Sequence, residues 1–308
     1  MPSLDLDRLR RRLPAAPLTR FAPSPTGYLH LGHAVNAVFV WGIARALGGR
    51  VLLRLEDHDR GRCRAAYEAA LLEDLEWLAL EPDAGAPREF RAGSSAFRQS
   101  DCGAVYEAEL ARLAARHPVY ACACSRTTLA RETIAAGGSE IPYPGRCRER
   151  GLVPGPGRGI RVALEQGEER FEDALLGEQR QEPAAQCGDL LLRDRLGQWS
   201  YQFAVTVDDR RHGVDLVVRG ADLLASTGRQ IRLARLLGRV EPPVFLHHPL
   251  LLKPSGEKLS KASRDTALRE LRAAGLGPGE VLGEACFRAG LLPRARPIGA
   301  GTLDTVFG

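Results

Sequence analysis

From Arg20 to Ala34 the chain reads Arg-Phe-Ala-Pro-Ser-Pro-Thr-Gly-Tyr-Leu-His-Leu-Gly-His-Ala. No other stretch narrows the possible folds as much. Pro23 and Pro25 fix φ and bias the residues before them toward extended backbone. Gly27 and Gly32 remove side chains where something must approach the main chain closely. After His33 the apolar positions Val35, Val38, Phe39, Ile43, Ala46 and Leu47 fall on one helical face, and Gly48-Gly49 ends the pattern. The short apolar run Arg50 to Leu55 then reads as a buried parallel strand. Strand, helix and strand within so few residues make a βαβ unit. A helix start offers free N–H groups and the positive end of the helix dipole. With His30 and His33 beside it, that turn suits a polyphosphate.

Ligands of open α/β sheets sit beyond the carboxyl ends of the strands. Two candidate groups fall there. The second strand runs into Glu56-Asp57-His58-Asp59, where Glu56 is placed to hold an amino group or a ribose. A later strand, Val214 to Val218, ends at Arg219-Gly220-Ala221-Asp222, and the Arg219 guanidinium would bind a carboxylate in a fork. Between them lies the apolar run from Trp199 to Val207, read as a buried strand or a helix. Pro249 to Leu252 is expected as the last core strand. It opens into the cationic loop Lys253 to Ala262, which contains Lys258-Leu259-Ser260-Lys261.

A second informative region is Cys122-Ala123-Cys124 with Tyr143-Pro144-Gly145-Arg146-Cys147. Three sulfurs in one short segment suit zinc, which takes four N, S or O ligands in a tetrahedron. The residues leave the fourth ligand open between His117 and Tyr143. Seven cysteines without a secretory signal or a transmembrane-length apolar run place the chain in the reducing cytoplasm, where clustered cysteines indicate metal rather than disulfides. The net charge of +5 allows a nucleic-acid partner without requiring one.

The run around His30-Leu31-Gly32-His33 resembles the ATP-binding motif of class I aminoacyl-tRNA synthetases, and its lead-in from Arg20 to Gly27 resembles the glutamyl and glutaminyl branch. Lys258-Leu259-Ser260-Lys261 is similar to the second motif of that class. The resemblance covers Arg20 to Lys261. It implies a Rossmann-like parallel-sheet core over 19–120 and 189–262, an inserted zinc-bearing subdomain over 121–188 and a short helical part over 263–308; residues 1–18, with Arg8, Arg10, Arg11 and Arg12, are read from their composition as a basic, frayed lead-in extra to that pattern. It assigns ATP binding to His30, Gly32, His33, Lys258 and Lys261, with His30, His33 and Lys261 catalytic and magnesium accompanying the nucleotide. It assigns glutamate to Arg20, Ser24, Glu56, Tyr201 and Arg219. The segment 263–308 is too short for the anticodon-reading domain of glutamyl-tRNA synthetases.

The pattern Cys122, Cys124, Tyr143, Cys147 resembles glutamyl-Q tRNA(Asp) synthetases, in which the tyrosine is the fourth ligand of one structural zinc. That branch activates L-glutamate without tRNA and loads it onto the queuosine base of tRNA(Asp). The expectation is a monomeric cytoplasmic ligase without membrane contact. Two other readings compete: a truncated enzyme charging tRNA(Glu), and a non-enzymatic zinc RNA-binding module. The chain departs from the family pattern at His58 and Ala262.

Overall fold

The computed structural model describes residues 4–125, 127–129, 142–251 and 266–308. Its elements in chain order are α1 (Leu6–Arg12), β1 (Leu18–Phe21), α2 (Leu31–Ala46), β2 (Arg50–Leu53), α3 (Ala65–Trp77), α4 (Pro87–Ala92), α5 (Gly103–Ala114) and β3 (Val119–Cys122). There follow β4 (Gly159–Val162), β5 (Glu169–Asp173), β6 (Gly177–Gln181), α6 (Pro183–Cys187), β7 (Leu190–Arg193) and α7 (Tyr201–Arg211). The rest are β8 (Leu216–Gly220), α8 (Thr227–Leu236), β9 (Val244–His248), α9 (Leu268–Ala273) and α10 (Pro278–Arg288).

The βαβ unit forms as its pattern predicts. β1 and β2 pair in parallel from Leu18↔Arg50 to Phe21↔Leu53. α2 crosses between them with Val35, Val38, Val40 and Ile43 fully buried. β8 and β9 form a second parallel pair, from Leu216↔Val244 to Gly220↔His248. The two pairs lie side by side: Asp215 N–H donates to Leu18 O at 2.8 Å, and Arg20 Nη1 donates to Val218 O at 3.2 Å. The carboxyl ends of β1, β2 and β8 therefore open on one crevice.

Three segments differ from expectation, and a fourth, left open between strand and helix, is decided. Residues 6–12 are a helix rather than a frayed lead-in. The Asp5 side chain caps it by accepting from Arg8 N–H, and Leu9 is buried in the main core. Among the described residues the last core strand is Val244–His248; 249–251 carry no strand, Leu252 lies outside the described residues, and the run after Pro249 supplies Leu251 to the cavity described below. The run from Tyr201 is a helix, started by the Ser200 hydroxyl accepting from Phe203 N–H. The stretch 121–188 is divided between two sheets. β3, β4 and β7 form an antiparallel sheet of their own. The hairpin β5–β6 instead joins the core, with β5 running parallel to β9 at Asp173↔Phe245.

The C-terminal residues cover α2. A side chain at Gly42 would meet the Phe307 ring at 2.3 Å, so the small residue is what lets that segment close down. Leu268 N–H donates to Leu29 O at 2.8 Å, which ties the start of α9 to the turn before α2.

Candidate active site

One side of the crevice, expected to take the nucleotide, is built on the start of α2. His30 is its N-cap, and His30 Nδ1 accepts from Gly32 N–H at 3.1 Å. His33 Nδ1 accepts from the His30 N–H, also at 3.1 Å. The two rings lie 4.0 Å apart. Because each Nδ1 is an acceptor, the proton of each neutral imidazole sits on Nε2. A side chain at Gly32 would stand 3.0 Å from His30 Cε1, so glycine is needed for this cap. The histidines line a cavity of about 440 Å³ together with Ser24, Asn36, Asp222 and His248. That volume lies within the range of small-molecule sites, roughly 300–1,000 Å³. Leu251 also lines it, and Ala267 makes a β-bridge to His30. The segment carrying Lys258 and Lys261 thus leaves and rejoins the described chain at this cavity. The two lysines lie outside the described residues.

The other side, expected to take the amino acid, lies across β1. Glu56 N–H donates to Pro23 O at 3.1 Å, which sets the loop after β2 against the loop carrying Ser24. Glu56 is buried, and its Oε1 accepts from Arg54 Nη2 at 2.8 Å. Arg54 is wholly buried and also donates to Asp209 Oδ1 at 2.7 Å. Arg20 reaches the same Asp209 oxygen at 3.3 Å, while Asp208 accepts from Arg211 at 2.7 Å. Burial works against both charges, yet Arg54 and Arg20 hold Asp209 below the usual carboxylate range, and Asp209, Glu56 and Asp208 keep Arg54 charged. Three arginines and three carboxylates thus close among themselves.

Arg219 stands outside that closed set. It is buried at the end of β8. Nε donates to His247 Nε2 at 3.0 Å, Nη1 to Gln230 Oε1 at 2.7 Å and Nη2 to Thr227 Oγ1 at 2.9 Å. All three acceptors are neutral. Among the described residues no carboxylate forms an ion pair with it. Burial, and the like charge of Arg20, depress its pKa, against the pull of Tyr201 and Asp209. Tyr201, half-buried at the start of α7, feels Glu56, Arg219, Arg20 and Asp209, and burial raises its phenol. Glu56, Tyr201, Arg20 and Arg219 are therefore one electrostatic neighbourhood. Ser24 lies across the loop, its hydroxyl 3.9 Å from Cys63 Sγ.

Several members of this arrangement went unread in the sequence. Arg54 had a signal, since residues two apart on a strand share a face with their neighbours and Glu56 follows at that spacing. Thr227, Gln230 and His247, which bond Arg219, and Asp173, which bonds His247, had none, because strand pairing and helix packing alone bring them together.

The third feature is the cysteine cluster at the end of β3. The Sγ atoms of Cys122, Cys124 and Cys147 all lie within 4.8 Å of one another, with Cys124 and Cys147 at 3.8 Å. Tyr143 Oη is 3.3 Å from Cys122 Sγ, 3.9 Å from Cys124 Sγ, and accepts from Cys147 N–H at 2.9 Å. A tetrahedral metal with sulfur bonds of ~2.3 Å has S···S edges of ~3.8 Å, so the cluster has the dimensions of a metal site. His117, beyond the end of α5, is not part of the cluster. Burial opposes a thiolate at Cys147. Hydrogen bonds involving the Tyr143 hydroxyl, the Ala123 backbone and the other thiols outweigh it and bring that thiol down to about 6.

A crevice at the carboxyl edge of parallel strands, with an imidazole-capped helix start on one side and a buried carboxylate-seeking guanidinium on the other, defines a nucleotide-dependent ligase of the class I synthetase type. The family model for the catalytic domain of class I tRNA synthetases (E and Q) matches residues 18–296, and the chain belongs to that family. A glutamyl-Q tRNA(Asp) synthetase of Symbiobacterium thermophilum is 42% identical over 302 residues, covering 94% of this chain and 91% of its own. One of Geobacter sulfurreducens is 45% identical over 252 residues, covering 81% and 76%. A relative named glutamate–tRNA ligase 2, from Syntrophus aciditrophicus, is 38% identical, with 86% of this chain against 56% of that one.

Among solved structures, the glutamate-tRNA synthetase of Elizabethkingia anophelis matches with a TM-score of 0.77 at 25% identity, over 94% of this chain and 65% of its own. This chain thus spans just under two thirds of that structure's length. The resemblance read from the motifs is borne out, and with it the α/β class I core and the ligase class.

Proposed function

We propose that the protein activates L-glutamate with ATP to glutamyl-adenylate without tRNA, and transfers the glutamyl group to the queuosine base at the wobble position of tRNA(Asp). The observation that carries the amino-acid half is Arg219, a buried guanidinium held by neutral acceptors alone. Asp209 acts on this charge without forming an ion pair with it; a buried charge lacking a direct carboxylate partner is costly, and a ligand carboxylate supplies that partner. Glutamine would leave it without one. The names of the relatives support the choice of tRNA(Asp).

In this reading the glutamate side-chain carboxylate meets Arg219, with Arg20 adding positive potential. The α-ammonium meets Glu56, whose Oε1 is fixed by Arg54. Tyr201 and Ser24 supply neutral hydrogen bonds. An α-carboxylate oxygen attacks the α-phosphorus; that P–O bond forms as the bond to pyrophosphate breaks. The Nε2–H groups of His30 and His33 donate to the phosphates as charge shifts outward, and Gly32 lets the nucleotide approach the helix start. Lys258 and Lys261 neutralise the leaving pyrophosphate, and magnesium arrives with ATP. Placement and charge stabilisation, rather than covalent catalysis, carry this step. In the second step a hydroxyl of the modified base attacks the adenylate carbonyl and AMP leaves.

Cys122, Cys124, Cys147 and Tyr143 would hold one zinc. Burial and the neighbouring sulfurs push the Tyr143 phenol up, and a bound cation reverses that balance and recruits the oxygen as a ligand. Four protein ligands leave no position for water, so the zinc's contribution is structural. Among the described residues no helix is long and apolar enough to cross a membrane. We place the enzyme in the cytoplasm as a monomer.

The test is to incubate the protein with labelled glutamate, ATP and tRNA(Asp) with and without queuosine. Label is expected only on the queuosine-bearing RNA. The similarity to glutamate–tRNA ligase 2 favours one other reading, charging of tRNA(Glu) at its 3′ end. Label on that RNA instead would decide for it.

A further inference from the structure

Arg219 does not orient itself. Behind it lies a buried pair of groups, one from β9 and one from a hairpin distant in sequence. Asp173, at the end of β5, is 1% exposed and His247, on β9, is 0% exposed. Asp173 Oδ2 is 2.6 Å from His247 Nδ1. The carboxylate is itself pinned: Oδ1 accepts from Leu175 and Leu176 N–H at 3.0 and 2.9 Å, and Oδ2 from His247 N–H at 3.1 Å.

An ionised carboxylate can only accept, so the Nδ1 of His247 carries the proton and its Nε2 carries the lone pair. That lone pair receives Arg219 Nε–H at 3.0 Å. The Thr227 hydroxyl, 3.2 Å from the same nitrogen, completes the corner.

We propose that Asp173 and His247 are a positioning pair for amino-acid specificity: they fix the Arg219 fork through a neutral spacer and so leave its charge for the substrate carboxylate. A carboxylate placed directly against Arg219 would orient it equally well. It would also neutralise it and compete with the ligand. The imidazole relays the orientation without supplying an anion. The pairing of β5 with β9 brings Asp173 to this place, so the hairpin within 121–188 serves the amino-acid site. Neither residue touches substrate; both act through Arg219. The role rests on the glutamate-activating reading above.

The experiment is tRNA-independent, glutamate-dependent exchange of pyrophosphate into ATP by the full-length protein, for the parent and for His247→Leu, His247→Gln and Asp173→Asn. Removing the acceptor in His247→Leu should raise the glutamate KM about 30-fold, the scale of one lost charge-assisted hydrogen bond. The ATP KM should stay within about twofold and discrimination against glutamine should fall. Asp173→Asn, which turns an amide donor toward Nδ1 and favours the wrong tautomer, should act in the same direction. His247→Gln, whose Oε1 can stand where Nε2 was, should recover most of the glutamate affinity. A purely structural role would raise both KM values or neither, and Gln would not rescue it. If the leucine variant fails to fold, the Asp173→Asn and His247→Gln pair still decides. Exchange in the parent with unchanged glutamate KM in Asp173→Asn and His247→Leu overturns the pair alone. A parent without glutamate-dependent exchange overturns the reading on which it stands.

Discussion

The two ends of the crevice are built on opposite principles. At the amino-acid end, Arg20, Arg54, Glu56, Asp208 and Asp209 are buried and bonded to one another before any substrate arrives. Arg219 is held by three further side chains. At the end proposed for the nucleotide, the described residues offer a single helix start with two imidazoles, facing a cavity. The described chain stops at Leu251, which lines that cavity, and is described again from 266, where Ala267 bridges to His30. A rigid pocket suits discrimination between a carboxylate and its amide, because misfit there leaves buried charge unpaired. A helix end and lysines suit phosphates, which every substrate pair shares and which need charge rather than selection.

If this contrast is right, substitutions at the two ends should fail differently. The largest effect is expected for Arg219→Ala, with kcat/KM for glutamate falling about 10⁴-fold while the ATP KM barely moves. Exchange kinetics measure both, and equal damage to the two substrates would break the contrast. Next comes Arg54→Met, which strands Glu56 in the interior and leaves Asp209 with Arg20 alone, and should cost about 3–5 kcal/mol of stability in urea unfolding. His33→Ala should instead lose about 3 kcal/mol of transition-state stabilisation, seen as a fall in kcat, with its unfolding midpoint near that of the parent. A large loss of stability in that variant would show that the nucleotide end is structural too.

Metal removal and acid sharpen the comparison at smaller cost. Chelation should lower Tm by about 5 °C, in keeping with one to two kcal/mol in a chain of this size, and leave glutamate-dependent exchange within twofold. For Asp209, the folded-state pKa is held below its ordinary value of 3.8 by Arg54 and Arg20, which outweigh burial. Its stabilising contribution is therefore complete above that value and is lost as pH falls through the lower folded one. Unfolding midpoints should be flat in this group's contribution from pH 7 to about 5 and decline toward pH 3.

The contrast also explains what the sequence disclosed. The nucleotide end is local: proline, glycine and histidine within one turn announce the cap, because each has a backbone reason to be there. Glu56 and Arg219 were legible because both follow strands whose carboxyl ends had to face the ligand. Asp173 and His247 were silent. They are 74 residues apart and meet only because β5 lies beside β9, which no local pattern encodes. The last strand was displaced for a similar reason. Leu250 to Leu252 has the stronger apolar signal, but Val244–His248 satisfies its two histidines internally, His247 on Asp173 and His248 on Asn36. The first helix was hidden by its arginines; Leu9 alone is buried from it, too little to register as a face.

The most direct measurement of the central claim is exchange of labelled pyrophosphate into ATP with no RNA present, amino acid by amino acid. Glutamate should support exchange, Arg219→Ala should abolish it, and glutamine should support little. Exchange that requires tRNA, or that favours glutamine over glutamate, would contradict that claim.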